Sequence, residues 1–194
     1  MAYPVTFDVT RPEKYERPQV LIRIVVYFVF GFVISALYLA LPVLAAIWTS
    51  QKGSEKFLAE DGPKIKGWLR WAVAGLAYVY MLTDKFPSGD EPEGVMFDIQ
   101  MSGSPSVGSA LLRLITSIPS AIVVGILGYI SAVIWIIAAV QILMQENYSE
   151  GLFNFQRGVV RWQARLYGYH SSLVDEYPPF ALDTGPEGPS APAA

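Results

Sequence analysis

His170 is the only histidine in the chain, and there is no cysteine. Flanked by Tyr169 and Ser171, it lacks the spaced His, Cys or carboxylate partners of a metal centre, so no metal site is expected. Ser171 and Ser172 follow it too closely to make a nucleophile and base pair, and no nucleophile elbow is present. Gly103, Gly108, Gly125 and Gly128 do not have the spacing or the lysine of a phosphate loop. Asp84 and Asp175 each stand two residues before an aromatic and three before a proline. A general-acid role would require a cleft partner, and the repeated pattern reads more simply as an Asx-type turn or cap closing a helix. No catalytic residue, no cofactor and no enzymatic activity are therefore expected.

The elements that carry these residues occur twice. Val5-Thr6-Phe7-Asp8-Val9 returns as Val95-Met96-Phe97-Asp98-Ile99, and Leu21-Ile22-Arg23-Ile24 returns as Leu111-Leu112-Arg113-Leu114, about ninety residues later. After a small length adjustment, Gly67-Trp68-Leu69-Arg70-Trp71 matches Gly158-Val159-Val160-Arg161-Trp162, Tyr78 matches Tyr169, and Leu82 to Pro87 matches Leu173 to Pro178. The expected organisation is a tandem pair, residues 1–90 and 91–182, with a flexible tail over 183–194. The tail is rich in Gly, Pro, Ala and Ser, which bury too little apolar surface to order alone.

Each repeat is built around an apolar run, about 24–49 and about 114–145, in which no side chain carries a formal charge. About 20 apolar residues cross a bilayer core, so each run is long enough for one crossing and short of two. A bent or re-entrant hairpin is the alternative. The absence of Asp, Glu, Lys, Arg and His from both runs removes the ionisable group that a proton relay or ion pump places there. Small residues take over helix packing in a membrane, and Gly31, Ser35, Gly125, Gly128 and Ser131 are the candidates for such a face.

Before each run an alternating segment has the period of a half-buried strand. After each run comes a shorter helix, about 67–82 and about 158–173. Arg157, Arg161 and Arg165 fall four apart on one face of the second, with Trp162 and Tyr169 on another. Cations and aromatic rings on an amphipathic helix suit the headgroup boundary. Trp71, Arg157, Arg161, Trp162, Arg165 and Tyr169 are therefore the expected contacts with lipid or a partner. A Pro-containing extended segment closes each repeat. The cations divide evenly between the two sides of a single-crossing arrangement, so charge asymmetry sets no orientation. The net charge of −3 provides no basic surface for nucleic acid.

The stretch Glu150 to Trp162, with Leu173-Val174-Asp175-Glu176-Tyr177-Pro178-Pro179-Phe180, resembles the bacterial membrane family catalogued as domain of unknown function 4389. The opening Tyr3 to Val9 and the early Ile118-Pro119 of the second run share the resemblance. The first repeat departs from it, with Lys52 to Lys66 where the family has Gly-Leu-Phe-x-Phe. The resemblance implies a location in the bacterial inner membrane and brings no catalytic residues. The expected fold is an α-helical integral membrane protein with short flanking strands. The expected role is a non-enzymatic accessory or scaffolding subunit contacting the lipid bilayer and a membrane-protein partner. The alternative is a lipid-handling or small-solute transport protein with a cleft between the repeats.

Overall fold

The computed structural model describes residues 3–88 and 92–183; the expected flexible tail lies, apart from Asp183, outside them. Strand β1 (Val5–Val9) pairs antiparallel with β2 (Val95–Ile99), and alternation puts Val5, Phe7 and Val9 inside. The register places Phe7 opposite Phe97, Val5 opposite Ile99 and Val9 opposite Val95, so the ribbon is centred on one Phe–Phe pair.

Helix α1 (Arg17–Lys52) contains the whole first apolar run and continues through Pro42. It stops at Gly53, whose positive φ of 81° turns the chain and whose N–H bonds back to Thr49 O at 2.9 Å. A single turn, α2 (Ser54–Lys56), and a π-helical turn (Phe57–Asp61) lead into α3 (Gly62–Val79). In the second half, Ser106 and Ser109 form a reciprocal capping box that starts α4 (Val107–Thr116). The helix is interrupted at Ser117, two residues before Pro119, and α5 (Ile118–Gln145) follows. Both apolar runs thus form long helices and neither folds as a hairpin. The last helix is α6 (Glu150–His170).

The elements stack in three layers. Ribbon strand β1 lies on α6 and β2 on α3, while α1 packs beside α4 and α5 on the far side. Helix α1 runs antiparallel to α4–α5. The Tyr15 N–H next to its start donates to Glu146 O at 2.7 Å, just past the end of α5, and its middle meets the Ser117 break through His170.

Helices α1 and α4–α5 are long and apolar enough to cross a membrane, and only 17% of the most apolar window of each is buried by the rest of the chain. Leu21, Val25, Phe28 and Phe32 on α1, and Ile122, Ile126, Tyr129 and Val133 on α5, are exposed. Contiguous exposed apolar surface of this kind is characteristic of membrane or protein contact faces.

Helices α3 and α6 differ from the expected interfacial pair. From Gly158 to His170 every residue of α6 is buried, and α3 is buried along most of its length. Cations four residues apart suit headgroups, but they equally suit carbonyls and carboxylates offered by the ribbon and the closing segment, and here the ribbon and that segment cover α6.

Candidate functional site

Two buried arginine clusters organise the chain, one in each half. Arg23 is fully buried on α1; its guanidinium donates to Thr83 O at 2.6 Å, pairs with the Asp84 carboxylate and lies 4.7 Å over the Tyr78 ring. Arg113 on α4 donates to Val174 O at 2.6 Å, pairs with Asp175 and lies 4.5 Å over Tyr169. The second carboxylate oxygen is used in the same way in both. Asp84 accepts from the Glu16 N–H and Asp175 from the Ser104 N–H, each at 2.7 Å. Each carboxylate therefore ties a long helix, the end of a shorter helix and the approach to the long helix into one knot.

This changes the expected role of Asp84 and Asp175. The ends of α3 and α6 are closed by their backbones in the Schellman arrangement instead. Met81 and Ser172 take left-handed φ values of 62° and 65°, Leu82 N–H reaches Ala77 O at 2.8 Å, and Leu173 N–H reaches Gly168 O at 3.3 Å. The aspartates are thereby free to serve the arginines.

The residues expected to face lipid separate into two groups. Arg161, Trp162, Arg165 and Tyr169 are buried within the chain, which corrects their assignment to an outer face. Arg161 donates to Phe7 O at 3.1 Å and pairs with Asp8 and Asp183; Arg165 donates to Ala181 O at 3.0 Å; Trp162 packs edge-on against Phe180. Arg157 is half-buried and pairs with Asp8 at 3.4 Å. Trp71 remains half-buried, with its ring against Phe30 at 4.9 Å.

The small-residue candidates do not hold helices together here. Gly31, Ser35 and Gly125 are exposed, and a Cβ added at Gly31, Gly125 or Gly128 would meet nothing within 4 Å. Ser35 turns its hydroxyl back to Gly31 O. Ser131 is the exception, being fully buried, with its own carbonyl receiving Gln156 Nε2 at 3.0 Å. A tight helix contact is instead made at Gly75, where an added Cβ would overlap the Phe30 ring. A glycine interrupting the run Ala74 to Ala77 was the signal available in the sequence.

His170 is buried between the long helices. Its Nε2 faces Tyr38 O at 2.9 Å and its Nδ1 faces Ser117 Oγ at 2.8 Å, with the ring stacked on Tyr38. A carbonyl only accepts, so Nε2 carries the proton and Nδ1 accepts from the Ser117 hydroxyl. Burial, followed by the charge of Arg113, lowers its pKa to about 4 and keeps the ring neutral.

Two surface concavities lie beside α1 and α3. An apolar crevice of about 280 Å³ lies between α1, α3 and α5, lined by Tyr27, Phe28, Tyr80, Ser131 and Trp135 among others; Trp135 Nε1–H is held by Val79 O at 2.9 Å. A groove of about 650 Å³ lies between α1 and α3, where Val33 and Leu37 face Lys64, Gly67, Trp68, Arg70 and Trp71. Among the described residues, no group of three His, Cys, Asp or Glu side chains is placed to hold a metal ion.

Comparison with known proteins adds one relationship. No curated protein and no solved structure matches the chain. Residues 108–181, from the start of α4 through α5, α6 and the segment that packs on it, match the family described as Domain of unknown function (DUF4389).

Proposed function

We propose that this chain is an integral protein of the bacterial inner membrane, built from two tandem copies of one unit, and that it serves as a non-enzymatic accessory or scaffolding subunit of a larger membrane assembly. The observation that carries this reading is the surface of α1 and α4–α5. These helices bury one narrow stripe each against the chain and leave broad apolar flanks for lipid and for neighbouring helices. Arg23 and Arg113, which lie along these faces, are turned inward onto the chain's own carbonyls and carboxylates, which keeps their charge off the outer apolar flanks.

The duplication is supported by equivalences at matched positions: the two Arg–Tyr–Asp knots, the two left-handed helix ends and the ribbon register centred on Phe7 and Phe97. Because α1 and α5 are antiparallel, the copies are inverted relative to each other, an arrangement known among membrane repeats.

The experiment is purification of the native tagged protein from its own membranes in mild detergent, with mass spectrometry of what stays bound. A stoichiometric companion complex supports a subunit role. Recovery of the chain alone with lipid turns the reading to lipid handling, which the apolar crevice beside Ser131 favours as a second possibility. That crevice includes Ser131 and excludes Ser35 and Ser120 among its lining residues.

A further inference from the structure

The two halves treat one helix face differently. On α6, Gly158, Arg161 and Trp162 are covered by the chain's own closing segment. Leu182 sits where a Cβ on Gly158 would come within 3.0 Å, Asp183 pairs with Arg161 at 3.4 Å, and Phe180 meets the Trp162 ring with centroids 5.6 Å apart. On α3 the matched residues Gly67, Arg70 and Trp71 line the open groove with Lys64 and Trp68. A Cβ on Gly67 would meet nothing within 4 Å, and Trp68 is 41% exposed. Among the described residues Arg70 makes no ion pair and no hydrogen bond, although its counterpart Arg161 makes several. Among the described residues one face is covered and the other is not.

We infer that the groove on α3 is a docking site for an extended segment of a partner protein, one that presents an aromatic side chain, then two residues later an aliphatic one, followed directly by a carboxylate. The occupant of the α6 face defines this chemistry: Phe180, Leu182 and Asp183 are the side chains that meet Trp162, Gly158 and Arg161. The groove repeats the demands. Arg70 supplies a guanidinium without a carboxylate, which matches an incoming acid. Gly67 leaves room for an aliphatic side chain, and Trp68 and Trp71 supply aromatic walls, with Val33 and Leu37 extending the apolar floor onto α1. Among the described residues no acidic side chain lines the groove to oppose the ligand. The chain's own closing segment is held on α6 by Arg161 and Arg165 and is not available to α3. This inference rests on the subunit reading and names the surface through which the subunit is held.

The test uses the full-length protein in detergent micelles, with Trp68→p-benzoylphenylalanine as a photo-crosslinker that reports α3 alone. The probe is a labelled synthetic peptide with the sequence of residues 177–183, Tyr-Pro-Pro-Phe-Ala-Leu-Asp. The expected result is saturable cross-linking. Affinity should fall about tenfold when Arg70→Gln is introduced or when the peptide's terminal Asp is replaced by Asn, the effect of losing one charge-assisted hydrogen bond. Gly67→Trp, whose Cβ would meet nothing within 4 Å and whose ring would occupy the groove, should block it. Absence of saturable cross-linking, or cross-linking indifferent to Arg70→Gln and to the Asn peptide, overturns the inference. So does Arg70-dependent binding of phosphatidylglycerol vesicles without peptide binding, which would make the groove a headgroup site. A native companion that stays bound to the Arg70→Gln protein removes the groove from the interface while leaving the subunit reading intact.

Discussion

Arg23 holds its guanidinium 4.7 Å over the ring of Tyr78 while its remaining reach goes to the Thr83 carbonyl and the Asp84 carboxylate. The charge therefore has three partners at one point in an otherwise apolar helix. Removing the arginine leaves a carboxylate that is only 12% exposed. Arg23→Ala should destabilise the fold by about 3–5 kcal/mol, the cost of breaking a buried pair from one side. Unfolding in micelles followed by circular dichroism measures it, and a loss below about 1 kcal/mol would mean that the knot is dispensable.

The two aspartates should not weigh equally. Asp84 is 12% exposed and Asp175 46%, so water screens the second pair far more. Asp84→Asn is expected to cost about 2–3 kcal/mol and Asp175→Asn about 1 kcal/mol. Reversal of that order in parallel unfolding curves would show that burial does not set the strength of these pairs.

Gly75 and Phe30 form a tight contact between α3 and α1. Gly75→Ala should lower stability by about 1–3 kcal/mol through overpacking, despite alanine's better helix propensity. Adding Phe30→Leu should recover part of the loss. If the single variant is as stable as the parent, the helices are separable at this point without cost.

His170 sets an acid limit on stability. Its pKa is depressed to about 4 in the fold, against an ordinary value of about 6.5 for an exposed imidazole, so the unfolded chain binds the proton first. Its contribution is fully present above about pH 6.5 and is lost progressively as pH falls toward 4. His170→Gln should flatten that part of the pH–stability curve measured by thermal unfolding. A curve unchanged by the substitution would place the acid sensitivity elsewhere.

The chain has no cysteine, so single-cysteine variants report without background. In native membranes, cysteines replacing Phe28 or Val133 should react slowly with a water-borne maleimide, and one replacing Lys14 should react fast. Equal rates at all three positions would place the apolar flanks in water and sink the membrane reading.

Much of this architecture was readable from residue pattern, and the misreadings have physical causes. The charge-free runs located both long helices, though α1 begins seven residues before its run, because Arg17 and Arg23 find partners that a hydropathy window does not see. The alternation of Val5, Phe7 and Val9 was sufficient for β1, whereas the register with β2 depends on a contact across ninety residues. Helix α6 misled because cations spaced four apart do not reveal whether their partners are headgroups or the carbonyls of Phe7 and Ala181. The groove on α3 became visible only when the residues covering α6 were known, since Gly67, Arg70 and Trp71 look no different in sequence from Gly158, Arg161 and Trp162.

The ribbon is laced across the halves: β1, at the start of the chain, lies on α6, which ends at His170, and β2 lies on α3. During synthesis the earliest strand therefore waits for the latest helix. At ribosomal speeds of about 5–20 residues per second, Val5 to Val9 spend on the order of ten seconds without their final neighbours. Arrival of α6, more than formation of the first apolar helix, is the event that covers β1, and a polypeptide cut short before α6 would leave that strand without its helix.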